Sequence, residues 1–137
     1  MQRRRFLLGL LALPEASSLL DLFASMAQAL SAGNPSDFLA PFERSMPGYR
    51  KLESQVFALL SQAEVASSVE LVQDQGDDQR RRVELDWILE IRSHLPAGPS
   101  EHRRQLLKAG LTRRGKSWKI VSLEPLSFFA PQSSMDQ

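Results

Sequence analysis

The amino-acid sequence predicts one α+β domain, with N-terminal helices packed against a four-stranded antiparallel sheet. Three observations predict it. Apolar residues recur at helical spacing up to Ala63 and then at a period of two. Turn signals, Gln75-Gly76-Asp77-Asp78 and Arg114-Gly115-Lys116, separate runs of strand length. The chain has 137 residues, enough for a single core, with 42% hydrophobic and 24% charged residues as in an ordinary globular protein.

The helices come first. Ser18-Leu19-Leu20-Asp21 has the form of a capping box. Leu19, Leu22, Phe23, Met26 and Leu30 follow on one stripe, which predicts a helix over 18–32 stopped by Gly33-Asn34-Pro35. Asn34 and Pro35 open a second helix that Pro41 cuts short. Pro47-Gly48 opens a third, with Tyr49, Leu52, Val56, Leu59, Leu60 and Ala63 on its apolar side.

Four strands follow. Val65, Ser67, Val69 and Leu71 alternate with Ala66, Ser68, Glu70 and Val72 in the first. The second has the clearest alternation, with Val83, Leu85, Trp87, Leu89 and Ile91 on one face and Glu84, Asp86, Ile88 and Glu90 on the other. The third covers about 102–113, with Leu107 and Leu111 facing one way. The fourth sets Trp118 and Ile120 against Lys119, Val121 and Leu123, and Pro125 ends it. Phe128 and Phe129 are expected to fold back on the core.

The N-terminus has a separate character. Arg3-Arg4-Arg5 precedes eight apolar residues, Phe6 to Leu13, in the pattern of a secretory signal. Arg3-Arg4-Arg5-Phe6-Leu7 resembles the twin-arginine export motif. The expected organisation is a signal-like segment at 1–16, a domain at 17–131 and a flexible tail at 132–137. The expected location is periplasmic or extracellular; retention of the segment would give a membrane-tethered or cytoplasmic protein. Losing residues 1–16 removes three arginines and Glu15, so net charge passes from +1 to −1. No basic surplus remains, and nucleic acid is not an expected partner. The absence of cysteine excludes disulfides, thiolate catalysis and cysteine-based zinc sites.

The helix–strand order, the strand Arg82-Val83-Glu84-Leu85-Asp86-Trp87 and the ending Gly115-Lys116-Ser117-Trp118-Lys119-Ile120 resemble the nuclear transport factor 2-like superfamily. The resemblance covers about 18–130. It implies a strongly curved sheet wrapped around the helices as a cone, with Trp118 closing the core beside the last turn. The short stretch between the second and third helices implies a cone thin or open on one side. The resemblance leaves function open, because this fold carries enzymes, ligand binders and assembly modules.

An enzyme of this kind needs an acid, histidine or tyrosine inside the cone. The predicted inner stripe of the second strand is wholly apolar. Glu84, Asp86 and Glu90 fall outside, where Arg104 and Lys108 are natural partners. No catalytic residue and no cofactor is assigned. His94 and His102 flank the loop 96–100 without a third ligand at fixed spacing, so no metal site is assigned. Tyr49, Ser67, Trp87, Gln105 and Trp118 are the candidate pocket-lining residues, and Tyr49, Trp87 and Trp118 read equally as core. The expected function is an exported, non-catalytic binding or assembly module. Its expected partners are a small apolar ligand in the cone and a second copy through the sheet face. The alternative is a small isomerase- or hydrolase-type enzyme, and the orientation of Glu84 and Asp86 separates the two.

Overall fold

A computed structural model describes residues 14–133, with side chains from residue 18 onward. The signal-like segment up to residue 13 and the tail from residue 134 lie outside the described residues. Helix α1 spans Pro14–Ser31, α2 Pro35–Leu39 and α3 Tyr49–Gln62. Strands β1 (Ala63–Gly76), β2 (Arg80–Ser93), β3 (Ser100–Arg114) and β4 (Ser117–Glu124) form one antiparallel sheet in sequence order. A short 3-10 turn, Leu126–Phe129, follows β4.

Helix α1 starts at Pro14, four residues before the predicted capping serine. A proline in the first turn has its φ already set for a helix and loses no internal hydrogen bond there. Ser18 therefore lies inside the helix. The predicted stop holds: Asn34 N–H reaches Ala29 O at 2.9 Å, and Gly33 adopts φ 71°. The Asn34 side chain then caps α2 by accepting from Asp37 N–H at 3.1 Å.

The sheet alternates as β2 predicted. Val83, Leu85, Trp87, Leu89 and Ile91 are buried beneath the helices, while Glu84, Asp86, Ile88 and Glu90 take the outer face. Two bulges alter the pattern in the neighbouring strands. In β1, Leu71 pairs with Leu85 and Gln73 with Glu84, leaving Val72 as the extra residue. The bulge turns Gln73 and Gln75 to the outer face and brings Asp74 inward, where it meets Arg81 at 2.7 Å. In β4, Ser122 pairs with Gly110 and Ile120 with Leu111, so Val121 is extra. This corrects the predicted face of Leu123. It is buried opposite Ala109, on the side of Trp118 and Ile120, because the bulge resets the alternation.

The linker between α2 and α3 is too short for a hairpin, yet it covers an edge. Glu43 N–H donates to Ile120 O, and Ile120 N–H donates to Pro41 O, both at 2.9 Å. Phe42 forms an isolated parallel bridge to Ile120. Part of the exposed edge of β4 is thereby paired.

Aromatic rings fill the cone. Trp87 has no exposed surface and meets Phe129 at 5.2 Å, Phe38 at 6.2 Å and Phe23 at 6.5 Å, all edge to face. Such pairs contribute about 0.5–1.5 kcal/mol each beyond their buried area. The indole N–H donates to Ser67 Oγ at 2.8 Å, so the one polar atom of the ring is satisfied. We expect Trp87→Ala to destabilise the domain by about 3–5 kcal/mol, read as a lower urea midpoint. Ser67→Ala, which leaves only an unpaired indole N–H, should cost about 1–3 kcal/mol.

Candidate functional site

The candidate pocket residues do not converge on one cavity. Trp87 and Ser67 are joined by their hydrogen bond inside the cone. Tyr49 opens α3 and faces a surface groove beside Leu39, Phe42 and Phe57. Trp118 is buried at the other end of the sheet, with the Arg113 guanidinium 5.1 Å from its ring centroid. Gln105 opposes Trp87 across the β2–β3 ladder, so it shares the inner face, but it is exposed.

The segment expected to fold back on the core lies along the concave side, held by contacts that the sequence did not show. The chain from Leu126 to Gln132 runs beside α3 and places Phe128 and Phe129 in the core. Its backbone is held by polar clamps. Arg103 donates from Nη1 to Phe128 O at 2.8 Å and to Ala130 O at 2.7 Å. Gln132 N–H donates to Gln62 Oε1 at 2.7 Å, and Gln132 Nε2 donates to Pro99 O at 3.3 Å. Arg103 could have been found from phase alone: it lies four residues from inward-facing Leu107, and only Arg104 matched the acids.

Glu101 completes the clamp by accepting from Arg103 Nε at 2.7 Å. That hydrogen bond, more than charge attraction, holds the Glu101 carboxyl below its usual pKa, against a smaller opposing effect of burial.

The acids of β2 are paired outside the cone. Asp86 accepts two bonds from Arg104, at 3.1 and 2.7 Å, and they lower its pKa. Glu90 meets His102 at 2.7 Å, with both side chains more than half exposed. Among the described residues no group of three His, Asp or Glu side chains could hold a metal ion. His94 is exposed on the loop after β2 and takes no part in such a cluster. Between the ion pairs lie Ile88, half-buried, and Leu106, 48% exposed and directly opposite Asp86.

No family model matches the sequence. No curated protein matches it either. Solved structures do match. One is a ketosteroid isomerase-like protein from Erwinia carotovora atroseptica, with TM-score 0.64 and 12% identity over 80% of this chain and 93% of that one. Another is a protein of unknown function with a cystatin-like fold from Nostoc punctiforme, with TM-score 0.62 and 13% identity over 79% and 86%. A third is a hexachlorocyclohexane dehydrochlorinase, LinA type 2, with TM-score 0.64 and 10% identity over 80% and 82%. The chain therefore has the nuclear transport factor 2-like, cystatin-like fold. Identities this low carry the architecture and not the chemistry.

The lowered pKa of Glu101 and Asp86 fixes the sign of the acid response. The unfolded state binds more protons than the folded state in the acid range. Stability is therefore complete above the ordinary carboxylate range, about pH 4, and falls as pH drops through it toward the lowered values. In urea titrations at neutral pH and at about pH 3, Glu101→Gln should narrow the gap between the two midpoints. An unchanged gap would remove Glu101 from the acid response.

Proposed function

We propose that this protein is an exported, non-catalytic binding or assembly module that works from the outer face of its sheet. The occupancy of the cone carries this reading. The space an enzyme of this fold would give to substrate holds Trp87, Phe38, Phe23 and Phe129, each no more than 1% exposed. From Val83 to Ile91 the inner face of β2 is apolar, Arg81 beyond it is held by Asp74, and Asp86 is committed to Arg104 outside the cone. A general base needs reach to a bound substrate as well as a tuned pKa.

The outer face supports a partner. Ile88 and Leu106 supply an apolar centre, and Asp86, Arg104, Glu90 and His102 ring it with both signs of charge. A surface with paired charges of both signs can meet its own copy about a two-fold axis without opposing like charges. We therefore propose a homodimer built on this face. Sedimentation velocity should give the mass of two chains for the wild type. Leu106→Glu, which plants a charge in the apolar centre, should give the mass of one chain with an unchanged circular dichroism spectrum. A wild type that sediments as a single chain at high concentration would remove the homodimer.

Export rests on Arg3-Arg4-Arg5 and the apolar run Phe6 to Leu13. The expected result is a protein in the host's periplasmic fraction whose intact mass lacks the first sixteen or so residues. A full-length mass in the membrane fraction would favour a tether, and one in the cytosol would overturn export.

A further inference from the structure

At the end of the outer face nearest the β1–β2 and β3–β4 turns, two rows of side chains cross the sheet. In the first, Gln73 opposes Glu84, Glu84 opposes Lys108, and Lys108 opposes Glu124. In the second, Gln75 opposes Arg82, Arg82 opposes Gly110, and Gly110 opposes Ser122. The rows line a basin of about 370 Å³, within the ~300–1,000 Å³ of small-molecule sites.

Three features set the basin apart from a solvated sheet surface. The first is Gly110, where the second row has no side chain of its own and the Ser122 hydroxyl leans toward the backbone. A Cβ there would stand 2.6 Å from Ser122 Oγ. Its φ is not positive, so the backbone does not require glycine; the close approach of the Ser122 hydroxyl does. The second is the pair of bulges at Val72 and Val121, one on each outer strand. The Val72 bulge turns Gln73 and Gln75 to this face, and the Val121 bulge lies next to Ser122. The third is a contrast in pairing. Further along the same face Asp86 closes on Arg104 and Glu90 on His102, both at 2.7 Å. In the basin, Lys108 sits opposite two carboxylates. Among the described residues no side-chain hydrogen bond or ion pair engages Lys108, Glu84, Glu124 or Arg82.

The chemistry of the lining selects a ligand. Two cations and two anions leave the basin with no net charge, which disfavours polyanions and polycations alike. Arg82 and Lys108 only donate, Glu84 and Glu124 only accept, and Gln73, Gln75 and Ser122 do both. A ligand that satisfies such a set carries several neighbouring groups that each donate and accept. We infer that the basin is a binding site for a neutral saccharide, its hydroxyls spanning the two rows and its ring edge lying over Gly110 and Ser122. The inference rests on the reading of the domain as a binding module and not on self-association. The basin is open and has no aromatic side chain in its lining, so the affinity is modest, with a dissociation constant of about 1–10 mM.

The test is an amide NMR titration of the full-length protein with glucose and with N-acetylglucosamine, using glucuronate and sulfate as charged comparators. Saturable shifts confined to the amides around Gln75, Arg82, Gly110 and Ser122 are expected with at least one neutral sugar. Gly110→Val displaces the Ser122 hydroxyl and covers the floor of the basin, and Arg82→Gln removes a charged donor from an exposed position. Each should weaken binding by about tenfold or more while the rest of the spectrum stays in place. If Gly110→Val does not fold, Arg82→Gln alone decides. Absence of saturable shifts with both sugars, shifts that survive both variants, or tighter binding of glucuronate or sulfate would each overturn the neutral-saccharide site. Sedimentation of the same samples reads the homodimer independently, so the failure of one proposal is not mistaken for failure of the other.

Discussion

The structure depends on one indole ring. Trp87 stands at the middle of β2, one of the two strands that pair on both sides, and its side chain points into the cone with no surface left to water. α1 reaches it through Phe23, α2 through Phe38, and the turn after β4 through Phe129. Each ring meets the indole edge to face, so each element is fixed in orientation as well as in depth. The Ser67 hydroxyl settles the last polar atom from the neighbouring strand. A ring shared by that many elements makes the core cooperative, because removing it withdraws a partner from every layer.

The same packing divides labour between the two faces of the sheet. The concave face is spent on stability: its aromatics fill the volume, and Arg103, Gln62 and Gln132 tie the covering segment across it. The convex face contributes little to the core. Its charges are not scattered. They stand in cross-strand register, paired through the middle and without mutual pairing toward the turns. That gradient is what makes the outer face readable as two regions, an apolar centre ringed by ion pairs and a polar basin beyond it.

Most of the architecture was legible because local signals agreed. The period change at Ala63, the turn glycines and the strict alternation of β2 placed the elements and predicted which face of β2 is buried. The errors of face trace to bulges. A bulge adds one residue and reverses every later side chain on its strand, and nothing in Leu71-Val72-Gln73 or Ile120-Val121-Ser122 announces it. Leu123 was therefore assigned to the wrong face, and the outward turn of Gln73 and Gln75 was invisible. The covering segment was half legible. Phe128 and Phe129 signal a return to the core, but their clamp from Arg103 needs the β3 register, which long-range pairing alone establishes. Of the candidate pocket residues, Trp87 and Ser67 were recognisable as inward-facing; that they bond to each other depends on the β1–β2 register.

Phe129 also sets an order of events. It lies after every helix and strand, yet it occupies the centre of the aromatic cluster. A nascent chain that has reached Glu124 already holds all four strands and still has an indole without its cover. Synthesis proceeds at ~5–20 residues per second, so the interval is short, but a chain broken off within it has no substitute for the missing ring. Such a fragment would leave Trp87 and Phe38 without the ring that packs against both of them.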